Sequence, residues 1–259
     1  MAKHKNEAIQ IADIATVAPK SVDKKETKAA TEVLVARIAE LQNLMYGERK
    51  RSLLLVLQGM DSSGKDGLTR KLFSQCSPTG IDTYAFKRPT EEEFAHDFLW
   101  RVHRQAPRKG MIQIFNRSHY EDVLIQRVHK SIDEERVTQR IGAINAFEDL
   151  LQFDNQTVIL KCYMHISKDR QLEKLQERLD NPDKNWKHNA GDWDERKHWD
   201  NYMRCYQDVF DRSTTPWHAI PCDQEWYRDY VAAKLVVRTL EALDMKLPVL
   251  TAEQKIVSR

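Results

Sequence analysis

The nine residues Gly59-Met60-Asp61-Ser62-Ser63-Gly64-Lys65-Asp66-Gly67 constrain this chain more than any other feature. An apolar run at 53–57 precedes them and reads as a buried strand; residues 68–73 follow and read as helix. Strand, glycine loop, lysine and helix, in that order, are the context of a phosphate-binding loop. The glycines let backbone N–H groups turn inward around phosphate oxygens, and the helix N-terminus adds its positive end. Lys65 reaches the outer phosphates as a point charge. Gly59, Met60, Ser62, Ser63, Gly64, Asp66 and Gly67 therefore form the expected cradle, and the simple reading of an incidental glycine turn leaves the lysine without a purpose.

The loop departs from the usual pattern at one place. The lysine is normally followed by Ser or Thr, whose hydroxyl meets a magnesium ion; here Asp66 follows. A second acid, Asp61, stands inside the loop. A carboxylate among phosphates is costly unless a cation sits between them, which makes Asp61 the first metal-ligand candidate. Asp66 either shares that task or points outward, where an acid in a first helical turn suits the dipole.

Beyond the loop, apolar strand-like runs at 81–86, 111–115, 158–166 and 217–221 alternate with helical patterns at 91–105, 120–153, 168–179, 194–212 and 226–243. A further helix at 25–49 carries Ala30, Leu34, Ile38, Leu41 and Met45 at helical spacing. Alternating strands and helices predict an α/β fold: a five-stranded parallel sheet covered on both faces, in a three-layer α/β/α sandwich. Residues 23–247 read as one domain with a helical lid at about 168–200, residues 1–22 as a loose arm and 248–259 as a tail. In such a sheet the binding residues lie beyond the carboxyl ends of the strands.

That rule singles out two polar runs. Lys87 and Arg88 follow the second strand, then a Pro-Thr turn and three glutamates that suit a helix start. The third strand leads into Asn116-Arg117-Ser118-His119-Tyr120-Glu121-Asp122. Phosphate-loop enzymes usually end this strand in an aspartate; here Asn116 stands there, so Glu121 or Asp122 supplies the negative charge and Arg117 offers a bidentate fork. A capping box from Ser118 to Glu121 is the structural alternative, and it leaves Arg117 and Asp122 free. His119 reads as a positioning or packing residue. In the lid, Arg178, Lys184, Lys187 and Asp192 accompany three tryptophans, and a mobile basic segment excludes water from a transferable phosphoryl group.

The formal net charge is only +2, which excludes a global basic field for nucleic acid. Four well-separated cysteines form no CxxC pair and suit reduced thiols in a cytoplasmic protein. Neither a leader-like apolar segment nor a membrane-length span is visible.

Taken together, GMDSSGKDG, KRPTEEEFAHDFLWRVHRQAP, IFNRSHYEDVL, the lid stretch ERLDNPDKNWKHNAGDWDERKHWDNY and TTPWHAIPCD resemble the polyphosphate kinase 2 family, in order and over most of the chain. The resemblance implies a thymidylate-kinase-type fold with a lid and reversible transfer of the terminal phosphoryl group of inorganic polyphosphate to nucleotides, with Mg²⁺ or Mn²⁺. It implies that Asp61 holds the metal, that Lys65, Arg117 and Arg178 act on phosphates, and that Lys187 grips them from the lid. Ser118, His119, Tyr120, Asp122, Lys184 and Asp192 fall within the same motifs. The NRSHYED form, where many members read DRSWYN, resembles the branch that phosphorylates both AMP and ADP to give ADP and ATP, with Glu121 as the residue behind that breadth. Tetrameric self-association is a further implication. Two other readings remain at this level: an ATP-dependent nucleoside monophosphate kinase, and a non-enzymatic sensor of phosphate or nucleotide.

Overall fold

A computed structural model of the chain describes residues 10–249. Five parallel strands build one sheet: β1 (Ser52–Gln58), β2 (Ile81–Ala85), β3 (Ile112–Asn116), β4 (Thr157–His165) and β5 (Trp217–Pro221), in the order β2-β3-β1-β4-β5. The α/β expectation and all five strands are borne out. Every residue of β1 is buried, as a central strand covered on both faces requires, whereas β2 at the edge is half exposed. Leu57, next to last in β1, lies opposite Asn116 at the end of β3, so those two strand ends share one rim, while β4 runs on past Cys162 to His165.

The helices are α1 (Lys24–Glu48), α2 (Lys65–Leu72), the single turns α3 (Glu91–Phe94) and α4 (Trp100–His103), α5 (Glu121–Val128), α6 (Glu134–Phe153), α7 (Lys168–Asp180), α8 (Ala190–Lys197), α9 (Trp199–Arg212) and α10 (Glu225–Glu241). α1, α2 and α10 pack together, and α5 packs against both α6 and α9, so the sheet lies between two helical layers. The chain leaves β1 towards β2 and leaves β3 towards β4, in opposite directions across the sheet. A crevice therefore opens between the carboxyl ends of β1 and β3.

Three expected helices are interrupted, two of them where a side chain bonds locally to the backbone. The Asp97 carboxylate accepts the Leu99 N–H at 2.9 Å and divides 91–105 into α3 and α4. Asp133 caps α6 at Arg136 N, while Lys130 adopts φ 54°, ending α5. Asn189 caps α8, and His198, at φ −93° and ψ 14°, separates it from α9. On α1 the buried stripe is Thr27, Thr31, Val35, Ile38, Leu41 and Met45; Ala30 is exposed, so the helix is turned by about one position from the expected face at its start.

The described part of the N-terminal arm is tied down. Ile11 is buried, its N–H donates to Gln207 Oε1 at 3.0 Å, Ala18 N donates to Gln224 Oε1 at 2.9 Å, and Asp223 N donates to Thr16 O at 3.0 Å. The expectation of a loose arm thus fails over residues 10–22, because the segment bonds α9 and the start of α10. Residues 1–9 and most of the tail, 250–259, lie outside the described residues. No helix among the described residues is long and apolar enough to cross a membrane.

Candidate active site

The loop after β1 turns sharply. Ser62 and Gly64 have φ of 66° and 93°, and Gly64 is followed directly by α2. The φ of 93° favours glycine at Gly64, and a Cβ there would also have to displace the tip of Arg228, whose Nη1 would lie 2.1 Å away. Lys65 is buried and folds back over the loop. Its Nζ donates to Gly59 O at 2.8 Å, to Met60 O at 3.1 Å and to Ser63 Oγ at 3.4 Å. Burial, and next the nearby Arg117 charge, push the lysine down to about 8.

Arg117 emerges from the end of β3 with φ 60°, an uncommon angle for a side-chain-bearing residue. Its Nη2 donates to Asp61, and its Nη1 donates to Glu121 Oε2 at 3.2 Å. Gln58, the last residue of β1, donates to Glu121 Oε1 at 2.9 Å and accepts from Ser118 Oγ at 3.2 Å. The sequence-level capping box is therefore not made: Tyr120 is the cap residue of α5 without a side-chain cap, and Glu121 turns to Gln58 and Arg117 instead.

A cleft of about 710 Å³ opens over this rim. Its floor is Gly59, Met60, Asp61, Arg117, Glu121 and Asp122; Phe86, Lys87 and Arg88 form one wall, and Asn189, Asp192, Tyr202 and Tyr206 the other. Burial opposes the Asp61 carboxylate, but the Arg117, Lys65 and Arg178 charges outweigh it and hold the acid below its ordinary range. Three cations from three separate segments thus act on one carboxylate. Arg178 sits at the rim of the wall, donating to Asp192 Oδ2 at 2.6 Å and to Lys187 O at 3.1 Å. Gln171 of α7 donates to Asp61 O at 3.0 Å and ties the helical segment to the loop. Burial, then the neighbouring Asp61 charge, raise Asp192.

Not every expected residue faces the cleft. Ser118, His119 and Tyr120 are completely buried, with both rings turned into the core towards Glu148. Their short spacing to Arg117 suggested contact with ligand, but a helix start alternates its faces. Asp66 is exposed and accepts from Asn116 Nδ2, away from the cleft. Lys184 pairs with Glu177 on the outside of the turn Pro182–Lys187, and Lys187 lies over the exposed Trp186 ring at 5.0 Å. Asp122 is held by Arg101, whose Nη2 donates to its Oδ2 at 3.3 Å and whose Nη1 donates to Lys87 O at 2.9 Å. Burial nevertheless raises Asp122.

Sequence reasoning missed Arg101, Arg228, Tyr202 and Tyr206. Arg101 and Tyr202 lie within motif stretches without a spacing that marks them, Tyr206 and Arg228 lie outside those stretches, and all four arrive from elements distant from the loop in the chain. Gln58 left a signal, being the one polar residue at the end of an apolar strand directly before the loop. Among the described residues no group of three or more His, Cys, Asp or Glu is arranged to hold a metal ion. Asp61 fits a hard cation that takes its remaining ligands from phosphates and water.

Comparison with known proteins agrees with this geometry. Residues 21–248 match the family described as Polyphosphate kinase 2. An AMP/ADP-polyphosphate phosphotransferase of Meiothermus ruber is 45% identical over 238 residues, covering 90% of this chain and 89% of its own. An ADP-polyphosphate phosphotransferase of Rhodopseudomonas palustris is 36% identical, covering 85% of this chain and 81% of its own. The crystal structure of Polyphosphate Kinase 2 from Arthrobacter aurescens TC1 superposes with a TM-score of 0.91 at 38% identity, over 94% of this chain and 89% of that one. With a family match across nearly all of the described residues, relatives matched over most of their own length and the same fold, the chain belongs to the polyphosphate kinase 2 family.

Proposed function

We propose that the protein transfers the terminal phosphoryl group of inorganic polyphosphate to AMP and to ADP, giving ADP and ATP, and that it runs in both directions. The observation that carries this reading is the convergence of Lys65, Arg117 and Arg178 on Asp61 at the floor of one cleft. The relatives named for polyphosphate transfer to AMP and ADP support it.

In the reaction an anionic phosphate oxygen of the acceptor attacks the terminal phosphorus of the polyphosphate. The new P–O bond forms as the terminal anhydride P–O bond breaks, and the shortened polyphosphate leaves with the electron pair. The acceptor oxygen is already an anion, so no general base is needed. The difficulty is repulsion among donor, acceptor and transferred group. Lys65, Arg117 and Arg178 offset it, and the walls of the cleft hold the partners in line. Asp61 would hold Mg²⁺ or Mn²⁺, which when bound supplies positive charge between phosphates. Glu121 beside Arg117 sets the acceptance of AMP as well as ADP. Location in the cytoplasm, supported by four unpaired thiols, and assembly into tetramers, supported by family resemblance alone, belong to the same proposal.

The test is purified protein with Mg²⁺ and polyphosphate, given AMP or ADP, with nucleotides resolved by chromatography. ATP from both acceptors, with ADP appearing first from AMP, is the expected result. Turnover of AMP only when ATP is the donor would replace this reading with an ordinary nucleotide kinase. Ligand-induced change without turnover from either donor would leave a sensor.

A further inference from the structure

The core behind the cleft holds charges that the reaction does not touch. Glu148 of α6 and Lys161 of β4 are both fully buried, and Lys161 Nζ donates to Glu148 Oε2 at 2.8 Å. Lys161 lies opposite Val56 of the central strand and Trp217 of β5, so it is fixed to the middle of the sheet. Its Nζ also donates to Tyr120 Oη at 2.6 Å. The Tyr120 hydroxyl in turn donates to Glu148 Oε1 at 2.8 Å. His119 Nε2 lies 3.2 Å from the same oxygen and must carry the proton there, since a carboxylate only accepts. Replacing such a buried ion pair by apolar residues is often neutral for stability, which makes stability alone a weak account of this one.

The geometry of 116–121 supplies another account. Arg117 is held at φ 60°, a conformation that persists only where the surroundings over-determine it. Its own N–H donates to Leu57 O at 3.0 Å, and Ser118 is tethered to Gln58. The next two residues, His119 and Tyr120, are anchored on one carboxylate oxygen. The residue after them is Glu121, which opens α5 without a side-chain cap at its cap position. The two groups that reach the cleft, Arg117 and Glu121, therefore flank a segment whose middle is bolted to the sheet through Glu148 and Lys161.

We propose that Glu148 is a positioning residue for phosphoryl transfer: from the core it clamps His119 and Tyr120, and so holds Arg117 and Glu121 in the backbone conformation that aims them into the cleft. The inference rests on the phosphotransfer reading of the site. Misplacement of a charged group by about 1 Å costs up to roughly a hundredfold in rate, so the clamp is worth detecting in kcat.

Two double variants separate clamp from charge. In E148Q/K161M the charges are gone but a side-chain carbonyl still accepts from His119 and Tyr120. In E148L/K161M the charges and the acceptor are both gone. The expected result is rescue: E148Q/K161M keeps kcat for ATP formation within about threefold, while E148L/K161M falls by more than about tenfold with the KM for polyphosphate changed less than about threefold. L41A, a core change on the opposite layer, is the control that lowers the melting temperature without lowering kcat at 25 °C. If E148L/K161M does not fold, Y120F replaces it, with a smaller fall in kcat expected at unchanged KM. Equal kcat in the two double variants, or a fall in kcat that L41A reproduces at matched melting temperature, overturns the proposal. Wild-type protein that works with ATP but not polyphosphate would refute the donor assigned above, and the same variant comparison would then be read with ATP and AMP.

Discussion

Lys65→Met should make the ligand-free protein more stable while removing its activity. Lys65 is buried, and its ammonium is pushed from the ordinary 10.5 down to about 8, burial being the first cause and Arg117 the second. At 1.36 kcal/mol per pKa unit that gap is a net cost of about 3 kcal/mol for keeping the charge at pH 7. Methionine removes the cost but leaves Gly59 O and Met60 O without the ammonium donor, which returns about 1–2 kcal/mol. The balance favours the variant by about 1–2 kcal/mol, or roughly 2–6 °C in melting temperature for a chain of this size. The sign with pH follows from proton counts. Above about 8 the folded lysine sheds its proton while the unfolded chain keeps it to 10.5, so the unfolded state binds more protons and wild-type stability rises with pH across that window. The advantage of the variant should therefore be fully present below pH 8 and shrink towards pH 10.5.

The assay is thermal unfolding of both proteins in phosphate-free buffer from pH 7 to pH 10, with and without polyphosphate. Polyphosphate should raise the wild-type transition by mass action and leave that of the variant almost unmoved. A variant less stable than wild type at pH 7 would refute the reasoning. So would a difference that stays constant above pH 8, because it would place the effect in packing rather than in the charge.

Gly64→Ala meets Arg228 Nη1 and a φ of 93°, so it should lose about 1–3 kcal/mol in denaturant unfolding; unchanged stability would mean that the loop relaxes freely. Arg117→Lys keeps the charge but not the fork that spans Asp61 and Glu121; kcat/KM should fall roughly 10- to 1000-fold in steady-state assays, and a near-normal value would remove the bidentate argument. Glu121→Asn should lower the rate with AMP far more than the rate with ADP, measured as the ratio of the two initial rates. Full AMP activity in that variant would end the role given to Glu121.

The sheet was legible because its signals are local: five apolar runs, each bounded by turn chemistry, became the five strands. The loop was legible because glycine and lysine have few other reasons to stand at that spacing. The helix breaks at Asp97 and at 130–133 were missed for the opposite reason, since a short polar side chain bonding its own backbone leaves the helical periodicity intact. In the site, sequence order placed Asp61, Lys65 and Arg117 at adjacent strand ends, and their meeting follows from the topology. What order does not carry is which way a side chain turns once a helix begins. Arg117 and Glu121 face the cleft while His119 and Tyr120, between them, face Glu148 across the core. Arg228 shows the same limit from another direction, because it reaches the loop by packing and not by motif.

The three cations that act on Asp61 each have a partner within the protein. Arg117 is bonded to Asp61 and Glu121, Arg178 to Asp192, and Lys65 to the carbonyls of its own loop. An anionic ligand must therefore compete for donors that are satisfied, and a single phosphate gains little by displacing one carboxylate. A chain of phosphates, with a charge every few ångströms, displaces several at once and gains from all of them. The arrangement thus favours polyanions over single anions by difference rather than by raw attraction. It also keeps like charges from destabilising the ligand-free fold, since Arg117 and Lys65 repel one another through the same space in which Asp61 attracts both. On this argument Asp61 has a duty before any metal arrives. Asp61→Asn should lower the stability of the ligand-free protein as well as its activity, by leaving Arg117 and Lys65 facing each other with only Glu121 between the arginine and the core. Unfolding in denaturant without phosphate or divalent cation reads that contribution separately from catalysis, and an unchanged midpoint would assign Asp61 to the reaction alone.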